Sequence, residues 1–539
     1  RAARAAAAGA CARAFARTGT AQEDGPRGLL RLAPRGRERE GARRNVPRDG
    51  QVQGGARGRE RPLRRLGLHE VPLHELQGVP HVRAVPLAAA LRGPQPGLGL
   101  LPVILRALTM IRPPLLHLAR CAVAAAIVIN PPTQTKQKPI AVETRNTAQA
   151  FTRREAGVYA GDAAVARFVA RTPGLRSWGG WFKSPAYLKN GHAHTIFAAK
   201  FRWTASVVYR RHLLTTPDGG SLALDIVDKV SDETSKDSTG ATYVDGAVEQ
   251  DESPFLLLLS GLGGGSQDTY VRAQAAAAVQ RGWRVGVLNM RSCGGSPVTS
   301  PRFFSARHGS VEDVRTATAW IRARIQPQAL AAIGWSNSGT IVCNALSEPD
   351  SLIDAACCLA APLDMPSSSA NFERVFHRNV YDRAIGGSLA EKFRTAQHLF
   401  VDADGPKPVP AYFGGDFVAD VEKACTATTI RAVDEALTAP CFGFPSVDAY
   451  YADASADQRV KGIGVPLLIM NAADDPIAQY NTKKGVFDAE TLAANPNLVV
   501  AVTETGGHLG WCDSQDPCGP PGWAQNVALD FLEAARETG

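Results

Sequence analysis

Apolar and polar positions alternate regularly along this chain from about residue 178 onwards. Short apolar runs are separated by stretches with the three- and four-residue spacing of helices. The runs predict buried strands within residues 253–265, 283–292, 329–334, 352–364, 465–476 and 497–511. Strands that alternate with helices indicate an α/β fold with a mostly parallel sheet covered on both faces. We therefore expect ligands to bind at the carboxyl ends of the strands.

Two of the predicted helices have clear apolar faces. The first spans 310–325, and Ser310 with Asp313 forms a capping-box pattern at its start. The second spans about 522–537 and closes the chain. The faces consist of Val314, Ile321 and Ile325 in the first helix and of Trp523, Val527 and Phe531 in the second.

Two intervals interrupt this rhythm. Residues 365–460 are mainly helical or irregular in pattern and fall between two predicted core strands, so we interpret them as an inserted helical cap. Residues 231–252 are polar and acidic and predict a solvated loop. The α/β domain with its cap is expected over 176–539.

The first 109 residues have a different composition. They hold 20 Arg, no Lys and 8 acidic residues, and they are rich in Ala, Gly and Pro without a sustained period. Such composition favours disorder. Three interpretations stay open: sequence upstream of a true start at Met110, an Arg-rich plastid or mitochondrial transit region, and a flexible tail.

Residues 110–175 are predicted to form a targeting or anchor-like segment and a linker. The apolar run at 115–129 is interrupted by His117 and Arg120. Because a membrane-spanning helix needs about 20 apolar residues, a shallow anchor or signal-like region is favoured over a crossing helix. We therefore expect association with a membrane through 115–129, or a plastid location, as the leading alternatives.

Charge and cysteine content narrow the classes further. Residues 110–539 hold 40 basic and 43 acidic groups, so charge gives no argument for a nucleic-acid partner. The ten cysteines include no CxxC pair and match no zinc motif. Cys512 and Cys518 are close enough in sequence to bridge, which the sequence leaves open.

The stretch "GWSNSG" at 334–339 carries the first candidate chemistry. It follows a predicted strand and starts a helix, as the G-x-S-x-G nucleophile elbow does. Ser338 stands where the motif has its second glycine, and Gly339 comes one residue later. Ser336 is the predicted nucleophile, because Ser338 would have Ser336 rather than glycine two residues before it.

A nucleophilic serine needs a base, and the base needs a carboxylate to orient it. In such folds the chain order is serine, acid, histidine. Asp475 and His508 each follow a predicted strand, and Asp474 is the alternative acid. His508 is also the only histidine after residue 398.

The oxyanion of the reaction must be bound by two backbone N–H groups. One is expected from Asn337, directly after the nucleophile, and the other from Leu262 in "LLLLSGLGGGSQ" (256–267). A dinucleotide-binding loop at this place would require glycine at position 266, which is Ser266, and an acidic residue after the next strand. The sequence therefore disfavours nucleotide binding.

These motifs together resemble the α/β-hydrolase family of plant embryogenesis-associated esterases. That family includes mammalian membrane-anchored phospholipases, bacterial hydrolases and yeast medium-chain ethanol acyltransferases. The resemblance covers about 178–535 and rests on "LKNGHAHTIFAA", "LSGLGGGSQDTYVR", "RGWRVGVLNMRSCGGSPVTSPRFFSA", "VDEALTAPCFGFPSVDAYYADAS", "VPLLIMNAADDPI" and "GGHLGW". The family's elbow usually reads G-F-S-x-G-G, so this chain departs at Trp335 and Ser338, and His194 stands where glutamine is common.

The resemblance implies an α/β-hydrolase fold with Ser336, Asp475 and His508 as a catalytic triad. It also implies lipid-like substrates: short- to medium-chain esters, monoacylglycerols or phospholipids. We expect a serine hydrolase of carboxylic esters that works through an acyl-enzyme. The alternatives are an alcohol acyltransferase and, in another class, a non-catalytic lipid-binding protein whose altered elbow no longer works.

No cofactor and no metal ion is expected. His192 and His194 have the spacing of a metal pair, but no third ligand lies nearby in the sequence. By resemblance, the "NGH" at 190–192 is a structural signature of the family. The H-x-x-x-x-D pattern from His508 to Asp513, seen in acyltransferases, is interpreted as coincidence because His508 already has a role.

Overall fold

The computed structural model describes residues 156–176, 181–478, 489–513, 519 and 522–538. The expectations for residues 1–109, the segment 115–129 and Cys518 lie outside this part of the chain and stay predictions. Within the described ranges, no helix is long and apolar enough to cross a membrane.

Strands and helices alternate in the first part of the fold. They are β1 Gly157–Ala160, α1 Asp162–Arg167, α2 Gly191–Phe201, β2 Thr204–Thr215, β3 Ser221–Ser235, β4 Ala241–Val244, β5 Phe255–Leu259, α3 Thr269–Gln280, β6 Arg284–Asn289, α4 Ser310–Arg324, β7 Leu330–Trp335, α5 Asn337–Leu346 and β8 Ala355–Leu359. Short 3-10 turns lie at Val169–Arg171, Pro173–Leu175 and Ser238–Gly240.

The interval between β8 and the next sheet strand is mainly helical and carries two small hairpins. Its helices are α6 Met365–Phe372, α7 Val375–His377, α8 Arg383–Ala396, α9 Val421–Thr426, α10 Ile430–Val433, α11 Ala439–Cys441 and α12 Val447–Ala454, with π-helical turns at Arg378–Asp382 and Asp434–Thr438 and 3-10 turns at Gln397–Leu399 and Val460–Gly462. The hairpins pair β9 Val401–Asp402 with β10 Gly405–Pro406, and β11 Pro408–Pro410 with β12 Asp416–Val418.

The chain then returns to the sheet. The remaining elements are β13 Leu467–Ala472, α13 Ala489–Ala494, β14 Leu498–Thr503 and α14 Trp523–Thr538. One sheet contains ten strands in the order β1-β14-β13-β8-β7-β5-β6-β3-β2-β4. The pairs from β14 across to β6 are parallel, whereas β1 and β3 join antiparallel on the two sides of this parallel block. The predicted mostly parallel sheet is confirmed. Five of the six predicted apolar runs contain one of its strands, and the run at 329–334 overlaps β7, which ends one residue later at Trp335.

The core lies on both faces of the sheet because successive side chains of a strand point to opposite sides. In β5, Leu256 and Leu258 belong to one apolar cluster, together with residues of α3 and α14. Phe255, Leu257 and Leu259 belong to the other, together with residues of α4 and α5. A strand buried on both faces explains why β5 is apolar at every position.

The predicted capping box of α4 is wrong. The residue before the helix is Gly309 at φ 75°, and the Ser310 hydroxyl accepts a hydrogen bond from the Ser305 backbone at 2.9 Å instead. The Asp313 carboxylate binds the Arg291 guanidinium through two bonds of 2.9 and 2.7 Å. An unpaired buried guanidinium costs more free energy than an uncapped helix terminus. The Asp313 carboxylate therefore pairs with Arg291 rather than with the start of α4.

The predicted solvated loop at 231–252 is largely exposed as expected, but it is not a loop in its first half. Strand β3 continues to Ser235, and β4 adds to the edge of the sheet beside β2. The Tyr243 ring of β4 lies under the Arg211 guanidinium at 4.2 Å, and its hydroxyl is 3.0 Å from the Ser266 hydroxyl. These contacts hold a polar segment as a strand. The sheet also begins with β1, ahead of the start at residue 176 that the sequence predicts.

A buried ion triad joins the loop after β6 to the sheet edge and to α4. Arg291 is 3 % exposed and contacts Asp218 at 2.6 Å and Asp313 at 2.7 Å. Removing one member of such a group leaves an uncompensated charge in the interior.

We predict that Arg291→Leu lowers the free energy of unfolding by about 3–5 kcal/mol, because Asp313 loses its counter-ion. The measurement is urea unfolding followed by circular dichroism. Arg315→Leu is the matched control, since its pair with Asp350 is exposed and such pairs contribute about 0–1 kcal/mol. Equal losses in the two variants would contradict the assignment of the buried triad.

Candidate active site

Ser336 occupies the sharp turn between β7 and α5. Its backbone has φ 53° and ψ −127°, a region that residues other than glycine rarely adopt. Its N–H donates to the Leu359 carbonyl of β8 at 2.9 Å, which helps to fix the turn. The side chain is therefore presented at the carboxyl end of the sheet, where the sequence predicts the nucleophile.

Two glycines make this turn possible. A Cβ on Gly334 would lie 2.4 Å from the Ser338 carbonyl oxygen, and a Cβ on Gly339 would lie 2.7 Å from the Ala361 Cβ. Both distances are far shorter than ordinary contacts. The glycine one residue later than the motif expects is therefore the position where α5 packs tightly on the neighbouring loop.

Ser338 is buried, and its side chain contacts the turn that follows β5. Its hydroxyl donates to the backbone carbonyl of Ser260, at the end of β5. The side chain that replaces the usual glycine thus has room and a hydrogen-bond partner. It links the elbow to the turn that contains Leu262.

The structure brings the three predicted catalytic side chains together. His508 Nε2 lies 2.9 Å from Ser336 Oγ, and His508 Nδ1 lies 2.9 and 3.1 Å from the two carboxylate oxygens of Asp475. The Asp475 side chain is 1 % exposed and that of His508 is 9 % exposed. Asp475 also accepts backbone N–H bonds from Ile477 and Ala478 at 2.7 and 2.9 Å, which fix the carboxylate towards the imidazole.

Asp474, the alternative acid, has a different partner. Its Oδ1 accepts the backbone N–H of Gly507 at 2.9 Å, so it holds the loop that carries His508 rather than the imidazole itself. Burial raises the pKa of Asp474 to about 6, the Gly507 hydrogen bond acts in the opposite direction, and the Asp475 charge adds to the rise.

Helix α2 supports the acid and histidine loops from one side, which the sequence reasoning missed. Thr195 Oγ1 accepts the His508 backbone N–H at 2.8 Å and donates to the Gly191 carbonyl at 2.7 Å. A Cβ on Gly191 would lie 1.8 Å from the Asp474 carbonyl oxygen, and one on Gly507 would lie 2.2 Å from the Gly191 carbonyl oxygen. The signal was the quoted stretch "LKNGHAHTIFAA", whose Gly191 and Thr195 face these loops.

The predicted oxyanion residues lie beside Ser336, the predicted nucleophile. Leu262 and Asn337 border a cavity that also reaches Ser336, and the Gly261 Cβ position is 3.4 Å from the Ser336 Cβ. Across the described part of the chain, neither of their backbone N–H groups donates to a protein acceptor. Both are therefore available to a substrate oxygen.

Two further side chains, Tyr270 and Asp268, stabilise the turn that contains Gly261 and Leu262, and sequence reasoning missed both. The Tyr270 hydroxyl accepts the Gly261 N–H at 2.8 Å and donates to Asp268 at 3.1 Å. The Tyr270 ring meets Trp335 edge-on at 5.3 Å. The departure from the family's elbow at Trp335 therefore places a large ring against the residue that fixes Gly261.

Two cavities meet at this site. The larger, about 240 Å³, borders Ser336 and continues under the cap helices to Phe372, Arg378 and Ile477. The smaller, about 50 Å³, borders Leu262 and Asn337 and is lined mainly by apolar side chains. Its main apolar lining residues are Phe303, Phe304, Leu389, Phe393, Val433 and Leu437.

His192 and His194 do not form a metal pair. His192 Nδ1 lies 2.9 Å from the Tyr381 hydroxyl of the cap, whereas His194 Nε2 lies 2.8 Å from the Ser184 hydroxyl. Burial lowers the pKa of His194 to about 4, which keeps its ring neutral. The described residues include no cluster of three or more His, Cys, Asp or Glu side chains that could hold a metal ion.

The comparisons with known proteins agree with this architecture. The family described as "alpha/beta hydrolase fold" matches residues 254–511. The embryogenesis-associated protein EMB8 of Picea glauca is 32 % identical over 351 residues, which is 64 % of this chain and 71 % of that protein. The chain therefore belongs to the α/β-hydrolase family, in the group that includes this plant protein.

Two further relatives have lower identity and carry the names of enzymes. The phospholipase ABHD3 of Mus musculus is 27 % identical over 62 % of this chain and 73 % of its own length. The medium-chain fatty acid ethyl ester synthase/esterase 2 of Saccharomyces cerevisiae is 26 % identical over 66 % of this chain and 86 % of its own length. The chain is thus a member of a hydrolase-fold family with esterase- and phospholipase-named relatives.

The raised pKa of Asp474 predicts a pH dependence of stability. Because its folded pKa of about 6 lies above the ordinary aspartate pKa of 3.8, the folded state holds the proton more tightly. Stability contributed by this group is therefore lost as the pH rises from about 4 to about 6. We expect Asp474→Asn, which keeps an acceptor for Gly507, to gain about 2 kcal/mol relative to wild type across this range. Urea unfolding at pH 4, 5, 6 and 7 measures the difference, and a difference that is constant with pH would contradict it.

Proposed function

We propose that this protein is a serine hydrolase of carboxylic esters with lipid-like substrates. The observation that carries the proposal is the continuous chain of contacts from Ser336 through His508 to Asp475, with distances of 2.9 Å at each step. Nucleophile, base and orienting acid at these distances are what covalent acyl transfer by a serine requires. The site uses no metal or cofactor in this proposal.

The chemistry follows from the positions of these groups. Ser336 Oγ attacks the ester carbonyl while His508 Nε2 takes the proton of the Ser336 hydroxyl. The oxyanion that forms accepts hydrogen bonds from the backbone N–H groups of Leu262 and Asn337. The tetrahedral intermediate expels the alcohol, which takes the proton from His508. His508 then takes a proton from a water molecule as that water attacks the acyl-enzyme. The second tetrahedral intermediate breaks its bond to Ser336 Oγ, which recovers the proton from His508, and the acid is released. Asp475 stabilises the imidazolium in both halves.

The two cavities suggest which part of the ester lies where. The leaving alcohol must reach His508 Nε2, so it belongs on the side of the acid and histidine loops. The larger cavity touches Ile477, two residues from Asp475, whereas among the described residues of those two loops none borders the smaller one. We assign the smaller cavity to the acyl chain and the larger cavity to the alcohol part.

The size of the smaller cavity favours a short acyl chain. A site for one water-sized group needs about 10–15 Å³ on this measure, so about 50 Å³ accommodates roughly four such groups. Two charged residues border the cavity, and both have partners: Asp434 accepts the Tyr451 hydroxyl at 2.7 Å, and Lys392 donates to the Ser292 carbonyl at 3.2 Å. The wall offered to the chain is therefore mainly apolar.

Acyl transfer to an alcohol is the second candidate function. The yeast relative is named both synthase and esterase, and the larger cavity has room for an alcohol in place of water. Formation of an ethyl ester when the purified protein is given an acyl donor and ethanol would favour this alternative. A folded protein that neither hydrolyses nor transfers would favour the non-catalytic lipid-binding alternative.

The location of the protein stays a prediction. Membrane association through 115–129 concerns residues that the structure does not describe, and the relatives' names give no support to a plastid location.

The first test is labelling with a fluorophosphonate, which reacts with activated serines. We expect wild type and Ser338→Ala to be labelled and Ser336→Ala to remain unlabelled, because the Ser336 hydroxyl lies 2.9 Å from His508 Nε2, whereas the Ser338 hydroxyl donates to the Ser260 carbonyl. Asp475→Asn is expected to slow labelling by about 10³–10⁴-fold, while Asp474→Asn keeps most of the rate. Gel fluorescence against time measures the rates, and circular dichroism checks folding. Labelling of Ser336→Ala would overturn the proposed nucleophile.

A second test uses nitrophenyl esters of increasing acyl length. We expect kcat/KM to be highest near four to six carbons and to fall beyond about eight, because longer chains exceed the smaller cavity. Leu389→Ala enlarges this cavity and is expected to move the acyl length with the highest kcat/KM towards longer chains, by about two carbons. Phe372→Ala, in the larger cavity, is the matched control and leaves the optimum unchanged. The reverse result would exchange the roles of the two cavities.

A further inference from the structure

A helical segment of the cap exposes apolar side chains to solvent. Val375 is 78 % exposed, Phe376 39 % and Val380 37 %. They lie within six consecutive residues, on α7 and the π-helical turn that follows it. Single exposed apolar residues are ordinary, but a contiguous group on one surface marks an interaction site.

This segment is firmly attached, so the exposure is not that of a loose loop. His377 and Tyr381 on its inner side are buried, and the Tyr381 hydroxyl lies 2.9 Å from His192 Nδ1 of α2. Just before the segment, the Asn371 side chain donates to the Pro476 carbonyl in the acid loop at 2.6 Å. The apolar side chains are therefore held outwards by the packing of their neighbours.

The same surface is basic. Arg374, Arg378 and Arg383 are exposed, and in the described part of the chain none of the three forms an ion pair, unlike Arg291 or Arg431. Its acidic residues are Glu373, which is exposed, and Asp382, which is buried and accepts the Ile430 N–H at 2.8 Å. Residues 373–383, called the rim surface below, thus combine exposed apolar groups with a surplus of positive charge.

The rim surface adjoins the entrance to the site. Glu373 and Arg378 border the larger cavity, and so does Phe372 directly before them. If the rim surface lay on a lipid layer, a molecule leaving that layer would enter the larger cavity directly. It would then reach Ser336 without crossing bulk water.

We propose that the rim surface binds the surface of an anionic lipid bilayer and places the mouth of the larger cavity against it. A helical surface that pairs Val and Phe with Arg is suited to the boundary between headgroups and acyl chains. Each arginine near such a surface contributes about fivefold to binding, since the attraction is about 1 kcal/mol per charge. The proposal goes beyond the proposed reaction, because binding does not require turnover.

The experiment is flotation of the full chain with vesicles of phosphatidylcholine, alone or mixed with phosphatidylserine. Wild type is expected to bind the mixed vesicles more strongly and to lose this preference at high salt. Arg374→Gln/Arg383→Gln is expected to weaken binding to mixed vesicles about 30-fold. Val375→Ser/Val380→Ser is expected to weaken binding to both kinds of vesicle by about tenfold. Neither pair contributes to the proposed catalytic groups, so hydrolysis of a dissolved short-chain ester serves as the check of folding.

The matched control is Val279→Ser/Leu352→Ser. These two residues are 37 % and 38 % exposed. They lie near the end of α3 and shortly before β8, by the amino-terminal ends of the parallel strands and opposite the loops that carry Asp475 and His508. Their variant is expected to bind vesicles as wild type does.

Hydrogen exchange keeps the test independent of any other membrane-binding segment. Mixed vesicles are expected to slow exchange in a peptide covering 373–383 in wild type and not in the arginine variant. Unchanged exchange there, together with unchanged flotation of both variants, would overturn the proposal. Concentration-dependent dimerisation that the same variants abolish would also overturn it, by assigning the surface to a second copy of the chain. If the wild type hydrolysed no ester, the proposed function would be refuted, and these binding results would still stand.

Discussion

The positive φ of Ser336 is the constraint on which the rest of the site depends. A non-glycine residue in this conformation carries backbone strain, and strain persists only where the surroundings fix it. Here β7 is buried between β5 and β8, the Ser336 N–H is bound by Leu359, and Gly334 lets α5 start directly above the strand. The sheet therefore provides the rigid base that aims one hydroxyl out of a sharp turn, and the loops after β13 and β14 need only reach it.

Ser338 changes how this elbow is connected. In place of a second glycine, the chain has a buried hydroxyl that bonds to the carbonyl of Ser260, two residues before Leu262. The two N–H groups proposed for the oxyanion, those of Asn337 and Leu262, are thus joined through a side chain as well as through the sheet. A departure that weakens the sequence motif makes the distance between these donors better defined.

The sequence allowed the parallel sheet, the helical interval after β8 and the meeting of Ser336, Asp475 and His508 to be predicted, because each has a local signal. Apolar runs identify buried strands, and the elbow, Asp475 and His508 each follow one of them. The roles of Tyr270 and Asp268 had no such signal, since they act through a turn whose shape is not local. Thr195 lies in a stretch that the resemblance singles out, but its contact with the distant His508 loop could not be predicted from that stretch alone. The predicted capping box was wrong for a similar reason. Asp313 of α4 has a buried partner, Arg291, in the loop after β6.

The close approach of Gly191, Asp474 and Gly507 has a consequence for how the protein opens. Their backbones lie so near one another that not even a methyl group fits between them, and the Thr195 hydroxyl bridges two of the segments. The start of α2, the acid loop and the histidine loop therefore form one cooperative unit, which loses its order in a single local unfolding event rather than in three. A heated or mildly denatured population would then hold molecules with all three segments in place or with none, and activity would fall as the number of competent molecules falls, not as a gradual loosening of each.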